Sequence, residues 1–187
     1  MDEAKAFEKL SMTALQRLTT TAFKAATKTP IVVVLDNVRS MHNVGSVFRT
    51  CDGFAIEKIY LCGFTPQPPH RDIQKTALGA TETVTWQYVE HTKNIVQQLK
   101  NEGYLLYAVE QVTNSIMLQN LPISNQKIAV VFGNEVDGVS NDVLSLCHNA
   151  IEIPQLGTKH SLNVSVAAGI VLWQLFEQYL SSQKVQP

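Results

Sequence analysis

The chain has 187 residues, 45% of them apolar and 17% charged, with a formal net charge of −1. This is the make-up of one ordinary globular domain, large enough to bury about two thirds of its unfolded surface. It excludes a protein that coats nucleic acid through bulk charge, and the absence of any apolar run of ~18 residues or of an apolar signal core in MDEAKAFEKL argues for a cytoplasmic protein.

The first ~28 residues read as a helix, because Phe7, Leu10, Ala14, Leu18 and Ala22 recur at spacings of three and four until Pro30 stops the pattern. Residues 1–30 are therefore expected to be a helical extension ahead of a domain spanning 31–187. From there strand and helix alternate. IVVVLDNV (31–38) is a β-branched strand, 43–54 a short helix with Asn43 as its N-cap, and IEKIYLCG a second strand. IQKTALGA reads as a helical turn before a strand near ETVTWQYV. TKNIVQQLKNEG is a helix capped by Thr92, with Gly103 just past its end. The strand YLLYAVE, a short helical SIMLQN, the strand KIAVVF, a helix around NDVLSLC with Asn141 as N-cap, and the strand AIEIP follow. A closing helix runs from 161 to about 183. It is apolar or small nearly all round, as suits a helix surrounded by its own protein or covered by a second subunit.

Continuous apolar strands alternating with helices mean an α/β fold, a parallel sheet flanked by helices on both faces. In such sheets ligands bind beyond the carboxyl ends of the strands, which directs attention to the loops 37–43, 63–72, 133–140 and 154–161.

Three segments there have unusual residues. In NVGSVFR (43–49), Gly45 lies one helical turn from Arg49 and could leave a groove beside the guanidinium for a phosphate or sugar; Val44, Val47, Phe48 and Cys51 would face inward. In FGNEVDGVS (132–140), backbone groups freed by Gly133 could read the edge of a flat heterocycle while Glu135 orients a polar partner. The same residues could simply form a glycine-bearing turn before a helix. In IPQLGTKHSLNVSVAAGI (153–170), Ser161 and Asn163 sit on the first turn of the closing helix, whose dipole favours negative charge; Ser161 could equally be no more than an N-cap. No G-x-G-x-x-G, G-x-x-x-x-G-K-[ST] or G-x-S-x-G occurs, so dinucleotide-binding, P-loop and hydrolase-elbow chemistry lack their fingerprints. Adjacent His160 and Ser161 do not make a dyad. Cys51, Cys62 and Cys147 are scattered without CxxC pairing or metal-spaced histidines, so they read as small core fillers and no metal site is expected.

Taken in order, N-V-G-S-V-F-R at 43–49, F-G-N-E-V-D-G-V-S at 132–140, and I-P at 153–154 with S-L-N-V-S-V-A at 161–167 resemble the SpoU (TrmH-like) RNA 2′-O-ribose methyltransferases of the SPOUT class. The likeness covers roughly residues 31–180, with Gln155 standing where many relatives have Met. It implies a deep trefoil knot over about 127–170, against the general rule that chains do not thread their own loops. It also implies S-adenosyl-L-methionine as cofactor, an RNA substrate (tRNA or rRNA) and a homodimer through the knot and last helix. Residue by residue, the resemblance sets the cofactor against Gly133, Ile153 and Leu162. It puts Arg49 at the reacting ribose, with Asn43, Glu135, Ser161 and Asn163 around it.

Arg39, His42, His70, Arg71, Lys75, Lys159 and His160 fall in or beside the same loops and are expected to form the basic edge that meets RNA; Arg39, His42, Arg71 and Lys75 are the foremost candidates. With so short a stretch ahead of the matched region, RNA selection is expected to rest on the first helix or on a partner. Two other readings stay open at this point: an RNA-binding protein that keeps the fold without catalysis, and a small-molecule α/β nucleotide-binding enzyme.

Overall fold

The structure, a computed structural model, describes residues 8–11, 13–122 and 126–183. Among these, seven strands form one sheet: β1 (Thr29–Asp36), β2 (Ile56–Cys62), β3 (Trp86–Val89), β4 (Leu105–Val109), β5 (Ile116–Met117), β6 (Ile128–Phe132) and β7 (Asn149–Glu152). Their order is β3-β2-β1-β6-β4-β7-β5, and every neighbouring pair is parallel. The expected α/β class is thus observed. The helices are α1 (Thr20–Ala25), α2 (Met41–Gly53), α3 (Arg71–Ala77), α4 (Ala80–Thr83), α5 (Thr92–Asn101), α6 (Asn141–Leu144) and α7 (Val164–Gln183). None is long and apolar enough to cross a membrane among the described residues.

The unbroken apolar run of β1 has a simple cause: successive side chains enter opposite cores. Val33 and Leu35 pack with Val44, Val47, Phe48 and Cys51 of α2 and with Ala168, Val171 and Leu172 of α7. Val32 and Val34 pack with Ile95, Val96 and Leu99 of α5 and with Val139 and Val143. Cys51 and Cys62 are buried in these layers, and burial drives both thiols upward, Cys62 to about 12. Cys147 is only half-buried.

Several local expectations are corrected. Among the described residues the N-terminal helix is confined to α1, and Leu10 and Leu18 lie exposed, with no packed surface there to stabilise the helical spacing; Phe7 falls outside the described residues. Asn43 does not cap α2: Ser40 does, its hydroxyl accepting the Asn43 N–H. Thr92 lies inside α5, after His91, and donates its hydroxyl to Asp36 Oδ1 at 2.5 Å. Ser140 precedes α6 in place of Asn141. The segment expected to be helical at 115–120 contributes the edge strand β5 and then a single 3-10 turn, Leu118–Asn120. Finally α7 begins at Val164, and Asn163 caps it: Asn163 Oδ1 accepts the Ser165 N–H at 2.9 Å and its carbonyl the Ala167 N–H.

Helix α7 buries Ala168, Val171, Leu172 and Leu175 against the sheet yet leaves Val166, Ile170, Trp173 and Leu180 exposed along a second stripe. Phe54 stacks on Phe176 at 5.1 Å and lies 5.9 Å from Trp173 beside that stripe. Among the described residues the β4–β6 connection meets the C-terminal segment, and two of the bonds between them are side chain to backbone. Gln111 Nε2 donates to the His160 carbonyl at 2.7 Å, and Gln178 Nε2 donates to the Leu121 carbonyl at 3.0 Å.

Candidate active site

β1, β6 and β4 are neighbours, so their carboxyl ends deliver residues 36–40, 133–140 and 110–111 to one rim. Asp36, 1% exposed, is the anchor. Besides the Thr92 hydroxyl it accepts Asn37 Nδ2 at 2.9 Å, the Ser140 N–H at 3.2 Å and the Ser140 hydroxyl at 3.1 Å. Asn134 closes the loop above it. Its backbone pairs with Gly138 in both directions at 3.0 Å, its Oδ1 accepts the Val136 and Asp137 N–H groups, and its Nδ2 donates to the Asn37 carbonyl.

The two glycines have specific jobs in that closure. A Cβ on Gly133 would lie 2.1 Å from the Gly138 carbonyl carbon. Gly138 adopts φ +67°, and a Cβ there would lie 2.1 Å from Glu110 Oε2, the oxygen that accepts the Val139 N–H at 3.0 Å.

Glu135 leaves this loop toward α2. Its Oε2 accepts the Arg39 N–H at 3.0 Å, and its Oε1 accepts the Ser40 N–H at 3.3 Å and Asn43 Nδ2 at 3.0 Å. Partial burial alone would raise its carboxyl; the donors outweigh that and hold it below the ordinary 4.5. Asn43 passes the chain on, its Oδ1 accepting Asn163 Nδ2 at 3.1 Å. Three segments far apart in sequence thus meet through Glu135, Asn43 and Asn163.

Beside them opens a cavity of about 470 Å³, lined by Gly133, Asn134, Glu135, Ser161, Leu162 and Asn163 with the apolar Val109, Phe132, Val164 and Ala167. A smaller hollow of about 90 Å³ shares Val109, Glu110, Gln111, Ser161, Leu162 and Ala167 with it and adds Ile153 and Gln155. A volume of this order suits a small organic ligand, and apolar walls with freed backbone groups suit a flat heterocycle. Gly133 and Leu162 therefore line the main cavity, and Ile153 its extension.

Arg49 stands elsewhere. It is exposed on α2, six residues or about 9 Å of helix beyond Asn43, and lines a separate shallow depression with Ser46, Phe54, Lys75, Thr76 and Gly169. The groove expected beside it at Gly45 is filled: α3 packs there, and a Cβ on Gly45 would lie 2.3 Å from the Ile73 carbonyl oxygen. Of the cationic candidates, Arg39 approaches Asp137 at 3.8 Å, Lys75 pairs with Asp72 at 2.7 Å, and His70 Nδ1 caps α3 by accepting the Asp72 N–H. His42, Arg71, Lys159 and His160 are exposed.

Asp36, Glu110 and Gln111 escaped the sequence reading, and Asn134 entered it only as part of the 132–140 segment, with no role of its own. The signal was present in their positions, since Asp36 ends an apolar strand and the others follow one within two residues, and a carboxylate closing a run such as IVVVLD has few reasons to be there except to bind loops.

Residues 30–173 match the SpoU rRNA Methylase family. The chain is 32% identical over 155 residues to a 23S rRNA (guanosine-2′-O-)-methyltransferase of Vibrio vulnificus, covering 82% of this chain and 62% of that protein. It is 33% identical over 152 residues to a tRNA (guanosine(18)-2′-O)-methyltransferase of Aquifex aeolicus, covering 79% and 69%. The crystal structure of the A. aeolicus TrmH/SpoU tRNA modifying enzyme superposes with a TM-score of 0.77 at 26% identity over 86% of this chain and 80% of that one.

Proposed function

The chain belongs to the SpoU methylase family, and on that premise we propose that it transfers a methyl group from S-adenosylmethionine to a ribose 2′-hydroxyl of a structured RNA, transfer or ribosomal. The observation that carries this reading is the junction of Glu135, Asn43 and Asn163 at the mouth of the cavity lined by Gly133 and Leu162. The residues fit the cofactor: Val109, Phe132 and Ala167 offer an apolar bed for the adenine, and the backbone of 133–138 and 160–163 offers polar groups for its edge.

When bound, the cofactor supplies a methyl group already activated as a sulfonium. The chain's task is then alignment of the ribose oxygen, which is where proximity lowers a barrier most. Glu135 fixes the 39–43 loop, so that Asn43 and Asn163 hold a set geometry at the cavity mouth. In this reading the Arg49 guanidinium holds an RNA phosphate and offsets the charge growing on the 2′-oxygen.

The position of Arg49 favours a dimer. Its depression is bordered by Phe54 and Gly169, at the edge of the exposed stripe formed by Val166, Ile170, Trp173 and Leu180. A second copy packed on that stripe would bury it and bring Arg49 toward the partner's cavity. The C-terminal segment is taken to thread the β4–β6 connection, residues 31–187 to form one catalytic unit with residues 1–30 as its extension, and the setting to be cytoplasmic.

Calorimetric titration with S-adenosylhomocysteine, followed by tritiated methyl transfer to total RNA and mapping of the product, tests the proposal. Binding without transfer would assign an RNA-binding protein that has kept the fold, and absence of binding would refute the reading. Arg49→Ala is expected to lose most turnover at unchanged cofactor affinity; near wild-type turnover would remove Arg49 from the site.

A further inference from the structure

Phe64, in the loop between β2 and α3, is 82% exposed, yet the backbone that presents it is tied down on both sides. Its own N–H donates to Asn37 Oδ1 at 3.0 Å. Gly63 before it adopts φ +57° and packs so closely that a Cβ would lie 2.1 Å from that same oxygen. Thr65 after it is 2% exposed; its hydroxyl donates to the Leu35 carbonyl and accepts the Val38 N–H, both at 3.0 Å. Single exposed apolar side chains are ordinary. A ring carried on a backbone tied down on both sides is another matter, because it adds nothing to the core and yet its place on the surface is fixed.

Its place is equally specific. β2 adjoins β1 and β1 adjoins β6, so at about 4.8 Å per strand the loop bearing Phe64 stands about 10 Å along the rim from Gly133. The link is direct: Asn37 takes the Phe64 N–H on its side chain and Asn134 Nδ2 on its carbonyl. The exposed Arg39 is on the neighbouring loop, and the exposed His70 and Arg71 end Phe64's own. An aromatic face among cations at a rim is the arrangement that binds unpaired nucleotides, with phosphates held by charge and a base laid on the ring.

We propose that Phe64 is a stacking platform for an unpaired base close to the ribose presented to the cavity, so that this chain selects RNA opened at its target. The inference rests on the methyltransferase reading and adds the substrate's local form to it. Stacking requires a free base face and reads no hydrogen-bonding edge, so the platform discriminates paired from unpaired RNA and is tolerant of sequence.

The test uses the full-length protein, a single-stranded RNA oligonucleotide and the same oligonucleotide annealed to its complement. Phe64→Ala is expected to weaken single-strand binding about tenfold or more, leave duplex binding within twofold, and leave S-adenosylhomocysteine affinity unchanged. Phe64→Trp should restore single-strand binding. Equal losses on both RNAs, or no loss on either, would overturn the proposal. A wild-type protein that binds S-adenosylhomocysteine but transfers no methyl to total RNA would instead sink the catalytic reading while leaving Phe64 to be judged by the binding series.

Discussion

Residues 133–140 and residues 153–163 wall the same cavity from two sides and are built in opposite ways. The first is closed on itself by Asn134, held to β1 by Asp36, to β4 by Glu110 and to the α2 loop by Glu135. The second is exposed from Leu156 to Asn163; the ties described for it are the Gln111–His160 bond and Asn163 at its end. Their glycines show the same contrast. Gly133 and Gly138 sit where a Cβ would meet backbone or a carboxylate, whereas a Cβ on Gly157 would meet nothing within 4 Å. One wall is set before any ligand arrives and costs no ordering on binding. The other is exposed and lightly tied, so any ordering it undergoes on binding would count against affinity.

The largest effect that should separate the two walls is Asp36→Ala. Four donors from Asn37, Thr92 and Ser140 converge on this buried carboxylate. Removing it leaves them without an acceptor, at a cost of about 3 kcal/mol, since bonds to charged groups contribute about 1.5–3 kcal/mol each and do not add fully. The urea midpoint should fall with its slope unchanged. A loss under about 1 kcal/mol would mean that the rigid wall is anchored elsewhere.

A glycine pair sharpens the comparison. Gly138→Ala is expected to cost about 1–3 kcal/mol, because alanine must enter the left-handed region and displace Glu110. Gly157→Ala should stay within about 0.5 kcal/mol. Equal effects at the two sites would erase the distinction between the walls.

The sheet was legible because β-branched runs and their spacing respond to forces that act everywhere along a strand. α2 and α5 were legible for the same reason. What the sequence hid was contact between distant segments. The Asn43 amide looks like an N-cap by its neighbours and becomes a relay only because Glu135 and Asn163 arrive beside it. Gly45 suggests an open groove until α3 is seen packed against it. In the N-terminal stretch a helical period survives in sequence although, among the described residues, Leu10, Leu15 and Leu18 lie exposed. The motif residues of the candidate site were thus found by type, whereas the residues that hold them, Asp36, Glu110 and Asn134, carry no signal but their position after a strand and were given no role.

Glu135 gives the smallest expected effect and the most specific one. Its carboxyl sits below the ordinary 4.5, because the Arg39 and Ser40 N–H groups and the Asn43 amide outweigh the effect of partial burial. A depressed folded value means that the unfolded chain takes up this proton first as acid is added. The contribution to stability is therefore complete above the unfolded value, near 4.3–4.5, and is lost as pH falls through the folded one. Glu135→Gln keeps one acceptor oxygen of the two but abolishes the titration. It should be slightly less stable than wild type at neutral pH, and the gap should close below about pH 4. Because the side chain is exposed the difference will be modest and salt-sensitive, so it is best read as the change with pH of the gap in urea midpoint between the two proteins. A gap that persists unchanged down to pH 3 would show that the loops are joined by shape alone, and that the carboxylate charge contributes nothing to the set wall of the cavity.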